Sequence, residues 1–106
     1  MDYDTFRFFD KVCRFEEASV KVQVLIEEVA DEWQRGVIKK KSARLALTQI
    51  LSDVDAQHIS FQEAAKIAPP GHEALLEKIK NERDNLAIDV ESLTEAILGK
   101  KAKPSG

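Results

Sequence analysis

Phe8, Phe15, Val22 and Val29 stand seven residues apart in a strict series. Spacing of that kind puts four large apolar side chains on one face of a helix, and that face has to be buried. Ala18, Leu25, Ile26 and Trp33 fall beside them on the same stripe. The segment "SVKVQVLIEE" (19–28) carries a competing pattern, because Val20, Val22 and Val24 alternate with polar neighbours as a half-buried strand would. The alternation stops at Leu25 and Ile26, and Glu27, Glu28, Asp31 and Glu32 then suit a helix better than a strand. One helix over about 5–35 accounts for the whole segment.

The valines outside the heptad series keep a role in that helix. At about 100° per residue, Phe6, Phe9, Val20 and Val24 join Cys13 on a second apolar strip, nearly opposite the first. A helix about 45 Å long with two faces to bury is either wrapped by the rest of its own chain or shared with a second subunit. So few residues remain that a second subunit is expected to cover Phe6, Phe9, Val20 and Val24.

Gly36 is placed to stop this helix in a left-handed cap. Ser42 then reads as an N-cap for a helix over about 43–56, with Ala43, Leu47, Ile50, Leu51 and Val54 as its buried stripe. After a short polar link, "ISFQEAAKIAPPG" (59–71) predicts a two-turn helix over 61–68. Ser60 and Glu63 have capping-box spacing there, Ile59 is placed to staple onto Ala64, and Pro69 and Pro70 end the helix. A last helix is predicted over about 71–98. Along it Leu76, Ile79, Arg83, Leu86, Val90, Leu93 and Ile97 alternate spacings of three and four, a heptad seam with one polar member. Val90 and Ile97 at one core position with Leu86 and Leu93 at the other suit a two-stranded pairing with a partner helix, although an intramolecular bundle uses the same pattern, and Arg83 could set register. The fold class is therefore all-α, a bundle of three to four helices. A single domain over 1–98 is followed by a basic tail over 99–106 that is expected to be disordered.

Composition narrows the function classes. With 43% hydrophobic and 33% charged residues, 106 residues make one ordinary globular domain. The lone Cys13 forms no internal disulfide, no secretory leader is apparent, and no apolar run approaches the roughly 20 residues needed to span a bilayer. A cytoplasmic protein without a membrane segment is the expectation. His58 and His72, even with Asp53, Asp55 and Glu73, match no metal-ligand spacing, and there is no glycine-rich phosphate loop or activated nucleophile. Cys13 reads as a small buried hydrophobe and Trp33 as a core anchor. No cofactor, metal or catalytic centre is expected.

Charge is unevenly spread over a chain of net charge −3. Acids dominate 1–34 and 45–98, whereas "RGVIKKKSAR" (35–44) holds Arg35, Lys39, Lys40, Lys41 and Arg44 with no acid. That turn is either a solvated loop or a docking site for an anionic partner. Two functions follow. The first is a protein–protein interaction module, an adaptor, assembly factor or secretion-type chaperone working as a homodimer or helical heteromer. The second concerns residues 60–85, where "SFQEAAKIA", "PPGH" and "EALLEKIKNE" resemble the helix, turn, helix layout of bacterial DNA-binding regulators, including the paired Ala64 and Ala65. That resemblance implies a DNA-binding reading assisted by the basic turn. Glu73 and Glu77, at the start of what would be the recognition helix, have the wrong sign for phosphate, which favours the interaction module.

Overall fold

A computed structural model describes residues 3–99 as three helices: α1 (Tyr3–Gln34), α2 (Lys40–Ile67) and α3 (Glu73–Leu98). The proposed basic tail lies outside the described residues, apart from Gly99. The connections are short, so each helix returns alongside the one before it. Side-chain pairs fix the directions. Lys11 on α1 reaches Glu63 on α2 at 3.0 Å, while Gln57 meets Ser19, so α1 and α2 are antiparallel. His72 just before α3 meets Phe8, and Lys78 further along lies 3.9 Å from Glu16, so α3 runs in the direction of α1 and back along α2. α1 and α2 are the most closely packed pair.

α1 ends as its sequence predicts. Gly36 takes φ +71°, Val37 N–H donates to the Glu32 carbonyl at 2.9 Å and Gly36 N–H to that of Trp33 at 3.2 Å. These two bonds form a Schellman cap, and a residue with a Cβ would be strained at that φ. α2 starts at Lys40 behind Lys39, not at Ser42, and no side chain caps it. α3 starts at Glu73 behind His72, three residues after Pro70, and stops at Gly99 in a left-handed cap (φ +71°) whose N–H donates to the Glu95 carbonyl.

The main correction concerns the middle of the chain. The separate helices expected over 43–56 and 61–68 are one continuous helix. The polar link is not a break, because Gln57 is buried and its Nε2 donates to Ser19 Oγ at 2.7 Å, while Ser19 Oγ donates to the Phe15 carbonyl at 2.9 Å. The backbone around Ser60 is mid-helix, so no capping box is required. Ile59 is 47% exposed instead of stapled onto Ala64, and Leu51 points outward from the α2 stripe.

The interior divides into two apolar clusters around that polar contact. Phe8, Val12, Phe15, Ala64 and Ile79 form one. Val22, Val29, Ala43, Leu47, Ile50, Leu86, Val90, Leu93 and Ile97 form the other, with Leu25, Ile26 and Trp33 partly buried against it. Val90, Leu93 and Ile97 are thus consumed by the chain's own core and are not free to pair with a partner helix. The seam pattern serves an intramolecular bundle as well as an intermolecular one, and here α1 and α2 are close enough to fill it.

Removing the Ser19 hydroxyl leaves the Gln57 amide buried without its acceptor, which costs about 1–3 kcal/mol. Chemical denaturation of Ser19→Ala should show that loss. Adding Gln57→Leu should recover much of it, because two apolar groups then replace two polar ones; a double variant as unstable as the single would refute this account of the layer.

Candidate functional site

The outer face of α1 is where the expected second strip lies. Phe6 is 62% exposed, Val20 57% and Val24 46%, on the side of the helix opposite buried Phe8, Phe15 and Val22. Cys13 is exposed on the same strip and is not the buried hydrophobe expected from its sequence setting. Phe9 is only partly available. Its ring meets that of His72 edge-on with centroids 5.3 Å apart, and His72 also contacts Phe8 at 5.4 Å, tying the start of α3 to α1. A shallow groove continues the strip towards α2 between Val20, Lys21, Val24 and Leu25 on one side and Gln49 and Asp53 on the other.

Charged side chains border the strip. Asp10 holds Arg14 at 3.1 Å within α1, and this pairing raises the Arg14 pKa above its ordinary value, mainly through the hydrogen bond to Asp10. Glu17 and Lys21 continue the same border, both exposed. Exposed pairs of this kind contribute little to stability but govern which surfaces can approach.

On the α3 side, Lys78 Nζ sits 3.9 Å from Glu16 and 4.0 Å from Glu82. One Glu82 oxygen is buried without a hydrogen-bond partner. Burial, then the neighbouring Glu82, push the Glu16 carboxyl above the usual glutamate range despite Lys78. A carboxyl whose pKa is raised by folding binds its proton more tightly in the folded state, so its contribution is fully present below the ordinary glutamate range and is lost as pH rises through the raised value. Stability should therefore decline as pH climbs from the ordinary glutamate range into the range above it. Urea titrations of Glu82→Gln over that interval should show a flatter profile than the wild type; an unchanged slope would rule out the Glu16–Glu82 contact as its source.

Arg83 does not face a partner. Its guanidinium lies 4.5 Å over the Phe61 ring, binds Asp84 at 3.1 Å and has Nη1 3.5 Å from His58 Nδ1. Its contacts with His58 and Phe61 place it against α2 and not at a surface offered to a partner helix. Ser19 and Gln57 were not anticipated. The signal was present: with Gln57 included, Ala43, Leu47, Ile50, Val54, Gln57, Phe61 and Ala64 form an unbroken series of three- and four-residue steps.

The basic turn gathers at the end where α1 hands over to α2. Arg35 pairs with Asp31 at 3.1 Å and is spoken for locally. Lys39, Lys40, Lys41 and Arg44 are exposed at the start of α2, which has no acidic residue in its first turn. Positive charge there opposes the helix dipole. Replacing Lys39, Lys40 and Lys41 with glutamine should thus leave helix content intact and raise the melting temperature slightly; a fall on thermal denaturation would show that the lysines support the fold.

Among the described residues no group of three or more His, Cys, Asp or Glu side chains is placed to hold a metal ion, and no helix is long and apolar enough to cross a membrane. Comparison with protein-family models, curated proteins and solved structures gives no match.

Proposed function

We propose that this protein is a non-enzymatic helical interaction module, an adaptor, assembly factor or chaperone-like subunit that pairs through the outer face of α1. The observation that carries this reading is the exposure of Phe6, Val20 and Val24 on a helix that already buries Phe8, Phe15, Val22 and Val29 on its opposite face. Scattered exposed apolar residues need no explanation, but these lie in line with Cys13 on one helix face. Helix-in-groove and helix-on-helix recognition both read such faces.

The DNA-binding reading draws less support. α3 lies along α2 through Arg83, His58 and Phe61, and its first turn carries Glu73. A recognition helix must instead present its start to the major groove with phosphate-compatible charge. The basic start of α2 remains the surface to which an anionic partner would be drawn, as a steering element that sets association rate more than affinity.

Phe6→Glu combined with Val24→Glu tests the interaction reading. Both positions are exposed, so circular dichroism and melting should stay close to wild type while complexes isolated with the wild-type protein from its native cells are lost. Unfolding of the double variant would mean that the strip is core, and full retention of every complex would reject α1 as the docking face.

A further inference from the structure

We infer that the occupant of the α1 outer face is a second copy of the same chain, with the two α1 helices antiparallel. This rests on the interaction-module reading and adds to it a partner and an orientation. The border of the strip reads Asp10, Arg14, Glu17, Lys21, alternating in sign. When two identical helices pack antiparallel about a two-fold axis, the same border of each meets its counterpart in reverse order. With the axis level with residues 15 and 16, Asp10 lies opposite Lys21 of the second copy and Arg14 opposite its Glu17. Symmetry makes each pair twice.

The apolar positions follow that register. Phe6, at one end of the strip, comes level with Val24 and Leu25 of the second copy, and Val24 meets its Phe6 at the other end. Cys13 lies near the middle. A parallel two-fold pairing has no such match, because it turns the border that carries Asp10, Arg14, Glu17 and Lys21 to opposite sides of the contact, so these side chains do not meet their own counterparts at all. An unrelated helix could cover the apolar residues, but nothing in it would be bound to mirror this charge order. The contact is short: Phe6 to Val24 spans about 27 Å at 1.5 Å per residue. It therefore falls at the small end of specific interfaces and gives a reversible, concentration-dependent dimer.

Sedimentation equilibrium of the wild type, Asp10→Lys, Lys21→Glu and the double variant tests the inference. The wild-type mass should rise from 11.9 kDa towards twice that value with concentration. Each single reversal places two like-charged pairs across the axis and should weaken dimerisation roughly tenfold, whereas the double variant should return close to wild type. Circular dichroism should be the same for all four proteins, since the altered side chains are on the surface. A wild-type mass that stays at 11.9 kDa up to millimolar concentration overturns the second copy while leaving the Phe6 and Val24 test of the interaction module to stand or fall separately. A double variant as weak as the singles overturns the antiparallel register.

Discussion

The hydrogen bond from Gln57 to Ser19 holds the bundle in its register. α1 and α2 each bury one polar residue in an otherwise apolar seam, Ser19 and Gln57, and the two meet directly, while Arg83 on α3 packs against α2 at His58 and Phe61. Sliding α2 by one turn against α1 would bring Gln57 against an apolar side chain and leave its amide unpaired, at a cost comparable to a large share of a small domain's stability. Apolar layers alone tolerate such slips, because Leu, Ile and Val packed against one another discriminate weakly between registers. The polar layer does not. It also separates the aromatic cluster around Phe8 and Phe15 from the aliphatic cluster around Val22, Leu47 and Leu93, so each half of the core has its own composition.

Much of this architecture was legible in the sequence because burial and helical period coincide. The Phe8, Phe15, Val22, Val29 series, the left-handed caps at Gly36 and Gly99 and the seam from Ile79 to Ile97 are all local or periodic signals. What misled was polarity at a seam position. Gln57 has the composition of a link, and Ser60 with Glu63 has that of a helix start, so local chemistry argued for two short helices. Packing overruled it, since the Ser19 hydroxyl satisfies the amide that would otherwise have forced a break. Ser42 was misjudged for a related reason: a good capping residue was available, yet the helix begins earlier at Lys40, where no side-chain cap forms.

The candidate site was legible only in part. The sequence separates the two strips of α1, but its period cannot say whether a second apolar strip is covered by the same chain. Three-dimensional placement is needed for that, and it draws Phe9 towards His72 while leaving Phe6, Val20 and Val24 outside. The same ambiguity ran the other way for α3. Its seam was equally compatible with a partner helix, and Val90, Leu93 and Ile97 proved to be filling the groove between α1 and α2. Arg83 stands out as the polar member of the α3 seam, but its partners His58 and Phe61, like the approach of Glu16 to Lys78, arise from contacts between helices distant in sequence, for which a single sequence holds no periodic trace.

Where local rules are broken without a local gain, selection for something other than stability is the economical explanation. The interior is largely consistent: the apolar clusters are packed, the buried Ser19–Gln57 pair is joined, and the left-handed cap positions are glycines, with the unpartnered Glu82 oxygen an exception. Departures concentrate on the surface. The start of α2 places Lys39, Lys40 and Lys41 against the helix dipole with no cap, and α1 leaves an aromatic residue and two valines in water along one face. Neither feature helps the isolated chain fold. Both would serve the association proposed for α1, an apolar face to hold a partner and a charged end to steer it, and they lie on elements that the Ser19–Gln57 contact joins. A mobile support would dissipate the binding free energy in ordering the surface, whereas a bundle held in one register presents it ready-made.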